Sequence, residues 1–309
     1  MLDENGLNRR GFLHCMRWAG TGLLWTVAAG VPGSRLLGQQ KREHAASGGF
    51  SFIQISDSHI GFNKDANPDV AATLQEAIAK INAAPEEPDF LIHTGDITHF
   101  AKPAEFDAAA QILKSAKPKD VFYVPGEHDV LSDQGKQYME RYAQGRARGW
   151  YSFDHKGVHL IGLVNVLGMK AGWGTLGDEQ LAWLEQDLRG RSSSTPIIVF
   201  AHIPLWAIYP QWGWTTGDSE RAFAALKRFG SVTVLNGHIH QTMQKVEGNI
   251  TFHSAMSTAF PQPKPGAAAG PGPMKVPEEQ LRSMLGLTSV NYLQGRDALA
   301  VVDSPLASS

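Results

Sequence analysis

The chain has a single cysteine in 309 residues, Cys15, and it lies in the N-terminal segment. A disulfide framework is therefore excluded, and so is a thiolate metal cluster. There is no excess of either charge: 28 Lys and Arg stand against 30 Asp and Glu, a formal net charge of -2. That balance leaves no electrostatic footprint for nucleic acid or for an anionic membrane. No apolar run is long enough for a bilayer span, which needs roughly 20 residues. What remains is an ordinary globular composition, 42% hydrophobic and 19% charged, with ample material for a core. Stability has to come from that core and from whatever the chain binds.

The N-terminus is patterned differently. Asn8-Arg9-Arg10-Gly11-Phe12-Leu13 resembles a twin-arginine signal; an apolar stretch from Trp18 to Ala29 follows, and Val27-Ala28-Ala29 offers small residues for cleavage. The resemblance implies export in the folded state to the periplasm or beyond by the twin-arginine machinery, with no stable membrane anchor. Folding before export lets a protein acquire a chosen metal before it meets competitors, since affinity alone selects metals poorly. The expected organisation is a signal peptide and linker over residues 1–45 and one domain over 46–309, with an irregular Pro/Gly-rich loop at 261–275.

From Phe50 onward, apolar runs alternate with helical patterns. Strands are expected at Phe50–Ile55, Phe90–His93 and Val121–Val124, separated by helices that open at Asn67-Pro68 and at Pro103. The second half reads as a hairpin across Asp154-His155-Lys156-Gly157, a helix striped by Leu181, Leu184 and Leu188, and buried strands at Pro196–Ala201 and Val232–Leu235. A further hairpin turns at Glu247-Gly248-Asn249, and Ala298–Val302 is expected as an edge strand. The order predicts an α/β fold, a four-layer α-β-β-α sandwich with two mixed sheets packed face to face.

Five short motifs each follow an expected strand: Asp57-Ser58-His59, Gly95-Asp96, Gly126-Glu127-His128-Asp129, Ala201-His202 and Gly237-His238-Ile239-His240. A lone strand-end histidine means little. Together they place carboxylates and imidazoles where an α/β sheet gathers groups from distant sequence into one crevice, and glycines beside them suit close backbone approach. Mixed imidazole and carboxylate donors suit Fe, Mn, Zn or Co rather than Ca or Mg.

This set resembles the calcineurin-like metallophosphoesterase superfamily over roughly Phe50 to His253. The resemblance implies hydrolysis of a small phosphorylated substrate, a phosphodiester or phosphomonoester, at a site holding two metal ions at its strand ends. Asp57, His59, Asp96 and His240 would hold the first metal; Asp96 would bridge to the second, completed by Glu127, His202 and His238. A metal-bridging hydroxide would attack, His128 would act as general acid on the leaving group, and Asp129 would orient it. The Asp-x-His opening and Gly-His-x-His close look most like the branch that includes class III cyclic nucleotide phosphodiesterases. His99 stands where the purple acid phosphatase pattern needs Tyr, and the Asp-Arg of Ser/Thr protein phosphatases is missing. His99 is read as a partner of a ligand, a substrate contact or a plain loop histidine.

One position departs from the family, which has Asn where this chain has Glu127. Two divalent ions against three carboxylates would leave the site near +1 instead of near +2, with less acidified water. Either Glu127 is a true ligand favouring a higher-valent pair, Fe with Mn or Zn, or it weakens phosphate binding and leaves a metal- or ligand-binding protein with little activity. Beyond His202, the cluster Trp206, Tyr209, Trp212 and Trp214 is expected to overhang the site. Its rings either stack on substrate, as a lipid or nucleotide pyrophosphate would require, or form a small core of the loop.

Overall fold

The computed structural model describes residues 48–143, 145–146, 148–293 and 299–307. The twin-arginine pattern, Cys15 and the 1–45 segment lie outside the described residues. Among the described residues, eleven strands form two sheets. The first holds β1 (Phe50–Ile55), β2 (Phe90–His93), β3 (Val121–Tyr123), β10 (Gly286–Tyr292) and β11 (Ala300–Pro305), in the order β11-β10-β1-β2-β3. The second holds β4 (Tyr151–His155), β5 (Val158–Gly162), β6 (Ile197–Ala201), β7 (Val232–Asn236), β8 (Met243–Glu247) and β9 (Ile250–Ser254), in the order β4-β5-β6-β7-β9-β8. β1, β2 and β3 run parallel, as do β5, β6, β7 and β9; the outer strands pair antiparallel. Both sheets are mixed, as expected from sequence.

Phe52, Phe90, Ile92, Leu160, Ile198, Phe200 and Leu235 meet between the sheets. The outer face of the first sheet is covered by α1 (Val70–Asn82), α2 (Pro103–Leu113) and α3 (Lys136–Tyr142), through Leu74, Ile78, Phe106 and Tyr138. The second sheet is covered by α4 (Asp178–Leu188) and α5 (Ser219–Leu226), through Leu181, Leu184 and Phe223. A short α6 (Glu278–Met284) precedes β10. The result is the four-layer sandwich. Among the described residues no helix is long and apolar enough to cross a membrane.

Some details differ from the sequence reading. Asp69, not Asn67, caps α1 by accepting from Ala72 N, while Asn67 reaches across to the Ala259 carbonyl. The expected return strand is β11, shifted to Ala300–Pro305, and it pairs with β10, for which no strand was expected. Residues 261–277 carry no helix or strand, in keeping with their proline and glycine content.

Candidate metal centre

Every parallel strand that contributes to the site does so from its C-terminal end. The loop after β1 is laid along the loop after β2 by Asp57 N to Gly95 O at 2.9 Å and His59 N to Asp96 O at 2.8 Å. The two sheets are tied at the site itself by His238 N, which donates to both carboxylate oxygens of Asp57 at 3.1 and 3.2 Å, while within the second sheet Gly237 N donates to His202 O at 3.0 Å. The backbone is bent sharply there. Asp57, His59, Asp96, His238 and His240 all have φ between 42° and 70°, a region costing a non-glycine residue roughly 1–3 kcal/mol. Five unfavourable backbone conformations, in the loops after β1, β2 and β7, are what it takes to turn these side chains inward from three strand ends.

Two glycines permit that packing. A Cβ on Gly126 would lie 2.0 Å from Asp96 Oδ1, and one on Gly95 would lie 2.6 Å from both Gly126 N and His202 Nδ1. Gly95 also has φ of +96°. The loops after β2, β3 and β6 therefore touch through positions that tolerate no side chain.

The seven side chains expected as ligands form two overlapping groups. In the first, Asp57 Oδ1 is 3.3 Å from His240 Nε2, His59 Nε2 is 3.2 Å from His240 Nε2, and Asp96 Oδ2 is 3.5 Å from His59 Nε2. In the second, His202 Nε2 is 3.4 Å from Asp96 Oδ2 and 2.8 Å from Glu127 Oε2, and His238 Nδ1 is 2.9 Å from Glu127 Oε1. Asp96 belongs to both.

The donor set fits a pair of cations. Asp57, Asp96, His59, His202 and His240 are at most 2% exposed, and the ion-pair partners of Asp57, Asp96 and Glu127 among the described residues are histidines alone. Buried carboxylates without cationic partners are costly. His202 Nε2, Glu127 Oε2 and both ring nitrogens of His238 are buried yet have no hydrogen-bond partner: they approach closely but point past one another into shared space, as ligands of a common ion do. Burial opposes charge on His202, but Asp96 and Glu127 raise its pKa well above the usual value, holding a proton where a larger cation would satisfy more of the site. His59 is pushed the other way by burial and by His128, His240 and His99, into the neutral form a ligand requires.

Backbone carbonyls set the tautomers. His202 Nδ1 donates to Thr94 O at 2.7 Å and His240 Nδ1 to Phe260 O at 2.5 Å, leaving each Nε2 aimed inward. His128 is held in the same way: its Nδ1 donates to His99 O at 2.8 Å, and its backbone N–H to Asp96 Oδ1 at 2.9 Å.

The expectation that Asp129 orients His128 is corrected by this geometry. The Asp129 carboxylate accepts from the backbone N–H groups of Ile97, Thr98 and Gly126 and from Thr98 Oγ1, at 2.9–3.1 Å. None of these partners is the His128 ring, and the carboxylate locks the β2 and β3 loops together. His99 lies in the site: its ring stacks on His128 at 4.8 Å, and its Nδ1 is 3.2 Å from His59 Nδ1. Burial and His128 push its pKa down to about 4, so it stays neutral.

The aromatic loop is also corrected in part. Trp206 is 7% exposed and packs on Phe252 under the second sheet, and Trp214 is fully buried. Neither offers a face to substrate. Tyr209 and Trp212 are half-buried and meet edge to face at 5.1 Å, as do Trp212 and Trp214. The loop is a small core of its own, because indole rings following a buried strand bury more area against each other than over an open cleft.

Sequence reasoning missed His93 and Phe260. Phe260 backs the rings of His59 and His240, each at 4.8 Å. His93, fully buried at the end of β2, accepts from Gly95 N at 3.2 Å through Nδ1, so Nε2 carries the proton and donates to Ser58 Oγ at 2.9 Å. It thus joins the Asp57-Ser58-His59 and Gly95-Asp96 loops. No spacing rule marks a strand histidine for this.

Burial pushes the His93 pKa down to about 3, against about 6.5 in the unfolded chain. A depressed histidine contributes stability that is present above pH 6.5 and is lost as pH falls toward 3. Between pH 7.5 and pH 5 that loss amounts to about 2 kcal/mol. His93→Gln removes this titration while leaving the other acids and bases in place. Urea unfolding at the two pH values should therefore show a smaller acid penalty in the variant; equal penalties would contradict the burial of a neutral imidazole.

An α/β sandwich whose strand ends converge seven His, Asp and Glu side chains around a shared carboxylate has the architecture of a candidate two-metal site. The family model described as calcineurin-like phosphoesterase matches residues 50–242, and the chain belongs to that family. It is 30% identical over 162 residues to a probable glycerophosphodiester phosphodiesterase of Arcobacter nitrofigilis, a match covering 49% of this chain and 56% of that protein. It is 26% identical to a probable cyclic nucleotide phosphodiesterase of Vesicomyosocius okutanii, over 68% of this chain and 87% of the other. The first of these matches thus spans little more than half the relative's length. A dimetal phosphatase from Danio rerio has the same fold, with a TM-score of 0.59 and 14% identity over 84% of this chain and 96% of that one.

Proposed function

We propose that the chain is a metal-dependent phosphoester hydrolase with a preference for small phosphodiesters. The observation that carries this reading is the pair of donor groups sharing Asp96, which includes buried donor atoms that no protein group satisfies. The relatives named as phosphodiesterases support the substrate class. Asp57, His59, Asp96 and His240 would hold one ion, and Asp96, Glu127, His202 and His238 the other. When bound, such a pair neutralises phosphate charge and lowers the pKa of water toward neutrality.

The chain's own groups supply the rest. His128, with Nδ1 committed to the His99 carbonyl, has Nε2 free to protonate a departing alkoxide. Burial lowers its pKa, but Asp96 and Glu127 outweigh that and raise it, which favours the acid form. Asp129 keeps the two loops that carry Asp96 and His128 at a fixed spacing.

Glu127 contacts both His202 and His238, the placement of a ligand rather than of a bystander. Its extra negative charge favours a higher-valent ion beside a divalent one, Fe with Mn or Zn. Metal analysis of protein from its native host, with a bis-aryl phosphate assay of wild type and Glu127→Asn, tests this. Wild type should carry two ions with iron among them and turn over the ester, and the variant should lose iron in favour of divalent ions. Two bound ions without turnover of any ester would instead favour a binding protein on this fold. Export in the folded state is supported by the Arg9-Arg10 pattern; replacing both arginines with lysine should retain the protein in the cytoplasmic fraction, and unchanged export would contradict that route.

A further inference from the structure

The reaction has a direction, and the surface on one side of it is unusual. His128 protonates the leaving group, so that group departs on the His128 side of the phosphate. The structure there is apolar and open. Phe100, 44% exposed, lies edge-on to His99 at 4.4 Å, and His99 in turn stacks on His128. Next to it, Ser132 Oγ donates to Ala101 O at 2.9 Å, which brings Leu131, 60% exposed, alongside the Phe100 segment. Leu167, 48% exposed, comes up from the loop after β5; its Cδ2 and Val130 Cγ1 flank the space over Gly135. Val130 closes the turn that carries Glu127 and His128.

Among the described residues, exposed large hydrophobics are few. Three of them fall on the loops after β2, β3 and β5, linked to one another through Ala101, Ser132 and Val130. All three sit on loops that meet at the turn carrying the general acid, with Phe100 reaching it through His99. Isolated exposed leucines need no explanation, but a set of exposed apolar side chains gathered on the loops of one site marks a recognition surface. Lys102 Nζ lies over the Phe100 ring at 4.8 Å.

We propose that Phe100, Leu131 and Leu167 form the leaving-group subsite and select esters whose departing alcohol or phenol carries an apolar group. The proposal rests on the phosphoesterase reading and on the role given there to His128. Polar leaving groups such as glycerol gain nothing from this surface, whereas each methylene laid half-buried along it should gain roughly twofold.

The test compares two diaryl phosphates with leaving phenols of matched acidity, bis(4-butylphenyl) and bis[4-(2-hydroxyethyl)phenyl] phosphate, with the full chain in its metal-bound form. Wild type should favour the butyl ester by about tenfold in kcat/KM. A Phe100→Ser, Leu131→Ser, Leu167→Ser variant should bring that ratio close to one, with its metal content and unfolding midpoint measured alongside. Equal kcat/KM for the two esters in wild type, or an unchanged preference in a folded, metal-loaded triple variant, would overturn the subsite while leaving the hydrolase reading intact. Failure to hydrolyse either ester with two ions bound would overturn the hydrolase reading and the subsite with it.

Discussion

Gly126→Ala should strip the site of bound metal and lower phosphodiesterase activity by about a hundredfold or more. The added methyl would lie 2.0 Å from Asp96 Oδ1 and 2.3 Å from Asp96 N, and both are parts of the one carboxylate residue common to the two donor groups. Neither partner can yield cheaply. Asp96 is 1% exposed with φ of 51°, and its Oδ1 also accepts from His128 N. Moving Gly126 instead breaks the Gly126 N to Asp129 contact that ties the loops. Because a displacement of about 1 Å is enough to misplace a reacting group, the loss should be large in kcat as well as in metal content. Gly270→Ala is the control, since a Cβ there meets nothing and should change neither quantity. Metal analysis and unfolding midpoints of both variants check this; full metal occupancy in Gly126→Ala would contradict the close packing.

His128→Gln should behave in the opposite way with respect to metal. His128 hydrogen-bonds to the donor set only through its backbone N–H to Asp96, and its ring packs edge-on against His59 at 4.7 Å; because it is not one of the seven expected ligands, two ions should remain bound. Its ring is the free acid, and kcat should fall by about 10²- to 10⁴-fold for an ester with a poor alkoxide leaving group. An ester of an acidic phenol needs no protonation on departure and should lose much less. That difference separates a proton donor from a group that only binds phosphate, which would weaken both substrates alike. Equal losses on the two esters, measured as kcat on metal-loaded protein, would contradict the assignment.

How much of this was legible beforehand differs between layers. The parallel strands were readable because they are short apolar runs, such as Phe90–His93 and Ile197–Ala201, and the ligand set was readable because each motif follows such a run directly. β10 was not readable: Gly286–Tyr292 interleaves glycine, threonine, serine and asparagine with its apolar residues, and its place between β1 and β11 is fixed by pairing. Side-chain direction was the other limit. Asp129 follows His128, yet its carboxylate is taken up by two backbone amides from the loop after β2 and by one from its own turn. Trp206 and Trp214 follow a ligand in sequence but fall into the core. His93 bridges two ligand loops from inside a strand, a role set wholly by tertiary contact.

The central claim is that two ions share Asp96, with Glu127 as a ligand of the second. The most direct measurement is anomalous scattering, recorded at several metal edges from crystals of natively expressed protein soaked with phosphate. It should show two peaks about 3.5–4 Å apart, one among Asp57, His59, Asp96 and His240, the other among Asp96, Glu127, His202 and His238, with phosphate spanning both and facing His128. A single peak, or a Glu127 carboxylate turned away from an occupied second position, would contradict it.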